Sequence, residues 1–408
     1  MRWQRVWDVA RKEVLSTWRD HRAITSNLLL PLILLPVIML GMPLLLGGLF
    51  ERETTTVTQI GLAAGSGLPA ELRAALETQN VELVEVEDPQ AAVREDEYPA
   101  AIAVPPDFEE QIAAGGSSTV EVFSKVGNLR SELNASKLQG AVTAYQQSIV
   151  AERLSAEGLD RSILQPVRIT TVDASSDAER TSGQMSWLIP FFIAIWTLTG
   201  SQMTAIDATA GEKERGTLES LLVAPVRRSE VVVGKFFATL TFGLSASLAA
   251  IAGYLLGGWV MRSVFLPRLG EEGGSLVTIM GGSLSVDVQS ILLLLMSAVL
   301  LSAVVSAVLL SISLFARSFK EAQSYIAPLS FLFIIPAVGL QFKDLIGIGD
   351  SAYAVPVFNA LLLMDDIVKG TAGLTSILVT WGSLIVVIAL LLVFAHRNFT
   401  REDVIFRS

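Results

Sequence analysis

The chain has 408 residues, 51% hydrophobic and only 17% charged, with a formal net charge of −10 and no cysteine. Soluble proteins carry about 25% charged residues, and the deficit here falls in six charge-free stretches: Ile24–Phe50, Thr181–Ile206, Phe236–Met261, Val288–Ala316, Ala322–Phe342 and Gly370–Ala395. Each reaches the roughly 20 apolar residues needed to cross a hydrocarbon core, which excludes a soluble enzyme, a disordered chain and a fibrous protein. The acidic balance argues against a nucleic-acid partner, and the lack of cysteine removes disulfides, thiolate metal sites and a Cys nucleophile.

In chain order, residues 1–23 predict an amphipathic elbow helix. Trp3, Trp7, Ala10, Val14 and Trp18 recur at helical spacing, flanked or opposed by Arg2, Arg5, Arg11, Lys12, Arg19 and Arg22. Trp favours the headgroup level and basic side chains favour an anionic leaflet, so this helix is expected to lie in the membrane plane. Residues 24–50 form an apolar run longer than the core of a signal peptide, about 7–15 residues. They are expected to be a retained span, kinked or tilted by Pro31, Pro36 and Pro43.

Residues 51–180 predict a mixed α/β domain, with strands at 59–64, 81–86, 99–104, 119–126 and 166–173. Short helices are expected at 68–77 and 88–96, and one long helix at 128–158. With no Gly-rich phosphate loop and no histidine, its expected role is gating or partner contact.

Residues 181–408 hold the other five spans. In the loop 207–235, Glu212, Arg215 and Glu219 are spaced to share one helical face, and Leu218, Leu221 and Leu222 make an apolar one. Pro225 is expected to stop this helix, and Ser229 to N-cap the next, with Glu230 near its N-terminus. Within 343–369, Leu345–Met364 is apolar but interrupted by Asp350 and Pro356, which predicts a re-entrant hairpin or a helix on the outer membrane surface.

Lys and Arg set orientation because they collect in cytoplasmic loops. The side holding both termini, 207–235 and 317–321 sums to +5; the side holding 51–180, 262–287 and 343–369 sums to −15. The expected fold is therefore an α-helical polytopic membrane protein of a cell membrane. It has six transmembrane helices, cytoplasmic N and C termini, and a mixed α/β extracytoplasmic domain between spans one and two.

No GxxxxGK[ST] or HExxH motif is present, and the only histidines are His21 and His396. No catalytic or metal site is expected, and the GGSLS run at 281–285 reads as a turn. The spans offer hydroxyl and amide groups, such as Thr197, Ser201, Gln202, Ser302 and Ser306, which suit helix packing better than an ion relay. Any energy source is expected outside the chain. From the residues alone, a membrane sensor or assembly anchor with a ligand-binding outer domain remains the alternative.

Three segments carry a family resemblance. EKERGTLESLLVAPVRRSEVVVGK (212–235), LFARSFKEAQSYIAPLSFLFIIPAV (314–338) and VPVFNALLLMDDIVKG (355–370) resemble the membrane subunits of type-2 ABC exporters, within them the NatB-like sodium-export permeases. AAIAVPPDFEEQIAAG (100–115) is similar to their outer domain. The resemblance implies that Glu212, Arg215, Gly216, Thr217, Leu218, Glu219, Leu222 and Pro225 belong to a coupling helix that docks on a separate ABC ATPase. It implies two ATPase copies, which bind the ATP and Mg, and a second permease chain, identical or paralogous. It places Pro356, Asn359, Asp365 and Asp366 in an outer hairpin at the substrate exit, meeting substrate or solvating the hairpin. Sodium is the implied cargo.

Overall fold

The computed structural model describes residues 2–160, 186–217, 225–268 and 287–399, with positions 172, 174, 176 and 179 between the first two segments. The chain forms two compact units, Met1–Leu44 with Ala174–Ser408, and Leu45–Asp173.

Helix α1 (Trp3–Trp18) turns Val6, Val9, Ala10, Glu13 and Thr17 inward, while Trp3, Trp7 and Trp18 stay exposed. Of the residues expected to form one stripe, Ala10 alone is fully buried. Helix α2 (Leu30–Thr55) follows a widened π turn at Thr25–Leu29, upstream of its prolines.

The second unit contains β1 (Thr58–Ala63), α3 (Ala70–Thr78), β2 (Val81–Val86), α4 (Pro89–Arg94), β3 (Ala101–Ala103), α5 (Phe108–Ala113), β4 (Glu121–Phe123) and α6 (Leu129–Ala156). The sheet order is β2-β1-β3-β4; β1 pairs in parallel with β2 and β3, and β3 is antiparallel to β4. Helices begin where side chains satisfy free backbone N–H groups: Asp88 accepts from Ala91, and Asn128 from Ser131. Ile60, Leu62, Leu72, Leu76, Ile102, Phe108 and Leu138 form the core. Helix α5 lies in the 100–115 segment, where the apolar spacing is too short to announce it. The strand expected at 166–173 falls outside the described residues, apart from position 172.

The first unit continues with α7 (Leu188–Ile206), which runs through a π turn at Asp207–Gly211 into Glu212–Glu214. Then come α8 (Arg228–Val260), α9 (Val288–Ser313), α10 (Phe319–Ile326), α11 (Leu329–Gly339), α12 (Phe358–Lys369) and α13 (Leu374–Phe399). Among the described residues, five helical stretches are long and apolar enough to cross a membrane: Leu188–Glu214, Arg228–Arg268, Val288–Ser313, Phe319–Phe342 and Leu374–Phe399. Thr25–Gly41 is a shorter apolar helix. The run expected at 24–50 thus lies in helix, although its described apolar part is short.

Helices α7, α8 and α9 pack against one another, α1 lies on α8, and α13 on α9. The contacts are close because small residues line them. A Cβ at Gly200 of α7 would sit 2.6 Å from Ala246 Cβ and 2.8 Å from the Phe242 carbonyl oxygen of α8. Buried hydroxyls tie the same helices, Ser201 to Ser306 at 3.3 Å and Ser247 to Ser302 at 3.5 Å. The start of α8 differs from expectation: its N-cap is Arg227, and Ser229 lies inside the first turn. The Glu230 carboxylate accepts the Arg227 N–H at 3.0 Å and closes the helix from within.

Gly200→Leu is expected to overpack the α7–α8 crossing at a cost of about 1–3 kcal/mol. Thermal unfolding in detergent checks this, and an unchanged midpoint would contradict the close approach.

Candidate functional site

Glu212, Lys213 and Glu214 each reach a different element. The Glu212 carboxylate is buried and takes Lys235 Nζ of α8 at 2.6 Å; Lys12 of α1 bonds its other oxygen. Lys213 Nζ donates to the carbonyls of Leu314 and Ala316 just past α9, where a helix leaves acceptors unsatisfied. Glu214 accepts the Phe319 N–H of α10 at 2.8 Å. Arg215 is exposed and pairs with Asp207. Gly216 has φ +68, and its N–H bonds the Lys213 carbonyl at 3.0 Å. Left-handed backbone suits glycine there and ends the helical turn. Thr217 donates its hydroxyl to the Glu212 carbonyl at 3.3 Å.

This corrects the expected shared face of Glu212 and Arg215. The helix stops before Gly216, so Glu212 turns inward to two lysines and Arg215 outward to Asp207. Leu218, Glu219, Leu221 and Leu222, the rest of the expected helix, lie outside the described residues. Pro225 reappears beyond them, its carbonyl accepting from Arg5 of α1.

Lys235 is 1% exposed. Its ammonium meets Glu13 of α1 at 3.0 Å, Glu212 at 2.6 Å and the Ala208 carbonyl at 2.5 Å. Lys12 also reaches Glu13, at 3.2 Å. Two lysines and two glutamates make a neutral cluster, the condition under which buried charge is tolerated. Burial works against the charge of Lys12, but its hydrogen bond to Glu212 and the fields of both carboxylates outweigh it and raise its pKa above the ordinary value. Beside Lys235, a Cβ on Gly234 would lie 2.7 Å from Val9 Cβ, so glycine lets α1 and α8 approach. Glu230, also buried, accepts the Arg2 N–H at 2.6 Å. Lys12, Glu13 and Lys235 gave no sequence signal of their pairing, because their partners come from distant parts of the chain. The acid at position 13, at helical spacing from the apolar positions 6, 9 and 10, is the one local hint.

A second polar cluster surrounds α12, whose residues Asn359–Val368 are nearly all buried. Asp365 accepts from Ser186 Oγ at 3.0 Å and Lys369 Nζ at 2.8 Å, with Lys343 Nζ at 3.6 Å. Asp366 accepts from Lys343 and Tyr353. Asn359 donates to the Tyr353 carbonyl at 2.9 Å and to Ser383 Oγ at 2.6 Å. These side chains therefore do not solvate the hairpin; they knit α12 to the segments before α7, after α11 and on α13. Pro356 is exposed ahead of α12, and Gly370, at φ +72, closes it.

The long apolar helices are those of a multi-pass membrane protein. Residues 28–397 match the family described as "ABC-2 family transporter protein", and the chain belongs to that family. It is the membrane permease subunit of an ABC transporter, and the family implies partnership with an ABC ATPase subunit. It is 28% identical over 395 residues to "ABC transporter permease protein NatB" of Bacillus subtilis (strain 168), covering 97% of each chain. No solved structure matches.

Asp365→Leu is expected to leave Lys343, Lys369 and Ser186 around an empty charge position and to cost about 3–5 kcal/mol, with Asp365→Asn milder. Melting of the purified protein measures the difference; equal midpoints for both variants and the parent would refute a structural role for this cluster.

Proposed function

We propose that this chain is the membrane subunit of an ATP-driven exporter in a bacterial cell membrane. Two permease chains join two ABC ATPases, which bind ATP and Mg. The chain crosses six times with both termini cytoplasmic, and residues 51–180 lie outside. The loop 211–235 docks on the ATPase, and the α12 hairpin caps the outer end of the path. The carrying observation is the fan of contacts from Glu212–Glu214 to α1, α8, α10 and the end of α9. A push on this run would reach four helices at once, through a contiguous network of packed and hydrogen-bonded side chains.

Export and cargo rest on the resemblance to NatB-like permeases, which makes sodium the first cargo to test. Reconstitution with a co-expressed ABC ATPase is expected to show permease-stimulated ATP hydrolysis. Gly216→Trp and Glu219→Arg should abolish that stimulation while the subunits still assemble. Unchanged stimulation in both variants would overturn the docking role. Replacing choline chloride by sodium chloride should raise turnover; equal rates would remove sodium and leave the permease reading intact.

A further inference from the structure

We propose that Lys235 is a positioning residue for coupling: its buried ammonium locks α1 to the start of the 211–235 loop, so that helix and loop move as one body. The inference rests on the coupling reading above.

The loop is held by α1 at both ends. At its start, Lys12 bonds Glu212, and Glu13 reaches Glu212 through Lys235. At its far end, Arg5 bonds the Pro225 carbonyl and the Arg2 N–H bonds Glu230. Residues 218–224, which the coupling reading puts against the ATPase, are bracketed by contacts to one helix. Lys235 is the buried centre of the bracket's near end. An ammonium has three N–H donors, and three acceptors from two other helical segments stand at 2.5–3.0 Å.

Its removal leaves Glu13 and Glu212, both nearly inaccessible to solvent, to share the single charge of Lys12. Like charges without enough counter-charge in such a place repel and separate. Arginine is no substitute, because a planar fork does not fit acceptors arranged around a point charge. Gly234, one residue earlier, brings α1 so close that it follows α8 as long as the lock holds.

The absence of native cysteine allows the lock to be read directly. Ser16→Cys on α1 and Thr217→Cys on the loop, both exposed, accept spin labels. Their distance distribution is expected to be narrow in the otherwise native chain and broad in Lys235→Met. A control pair at Gln289→Cys and Thr375→Cys, also exposed, should stay unchanged, which separates a lost lock from general loosening. In the complex, Lys235→Met should retain the ATPase but lower stimulated turnover about tenfold, in the usual range of coupling energies.

A narrow Ser16–Thr217 distribution in Lys235→Met, or broadening of both pairs alike, would overturn the proposal. Glu13→Leu removes the acceptor on α1 and leaves Lys235 paired with Glu212. It carries the test if Lys235→Met fails to reach the membrane: broadening supports the lock and a narrow distribution refutes it. If the native chain binds no ATPase, the coupling reading fails, and the label distances still decide the lock.

Discussion

A lysine ammonium removed from water must find as many acceptors as it has protons, and counter-charge to match. At Lys235 this requirement is met by Glu13 from the N-terminal helix, and by Glu212 and the Ala208 carbonyl from the end of α7. The three segments are far apart in sequence, so satisfying one side chain fixes their mutual placement. The π turn at Asp207–Gly211 belongs to the same arrangement. It carries Ala208 and delivers Glu212 to the cluster, in keeping with the concentration of such turns at working sites. Gly234 and Glu230 complete the arrangement, one by steric permission and the other by closing the helix starts.

From that fixed point the Glu212–Gly216 run spreads outward. Lys213 meets free carbonyls past α9, and Glu214 a free N–H of α10. Both are helix-end groups that need partners in any case, so the loop takes the place of ordinary caps. A segment that caps other helices cannot shift without disturbing them. This gives a loop of a few residues a hold on most of the helical unit and makes it a suitable point of entry for work done by another subunit. At α12, the same chemistry serves a different end. Asp365 and Asp366 are neutralised by Lys343 and Lys369, so an irregular apolar segment stays packed.

The apolar runs were legible because hydrocarbon length sets their size, and the helical stretches found fall on them. The long helix expected at 128–158 is α6, Leu129–Ala156, and β1 and β2 fall within a residue of the runs read from alternation. The polar junction was not legible. Helical spacing placed Glu212 with Arg215, but Gly216 in left-handed backbone ends the turn, and long-range lysines outcompete the local partner. The Arg-Gly-Thr step held the signal, since glycine commonly follows a helix end. Asn359, Asp365 and Asp366 read as hydrated because Lys343, which pairs with both aspartates, lies more than a dozen residues away. The tryptophans of α1 read as a face, and they are exposed beside the buried one rather than part of it.

The central claim is that an ATP-hydrolysing subunit acts on this chain at the loop that Lys235 anchors. Thr217, the last described residue before 218–224, is exposed and suits a photo-crosslinking amino acid. Irradiating cells that carry it and identifying the trapped protein tests the claim most directly. The account predicts one dominant adduct with a protein bearing a GxxxxGK[ST] phosphate loop, lost on Gly216→Trp. Adducts only with lipid or with a second copy of this chain, while the protein is inserted and folded, would contradict it.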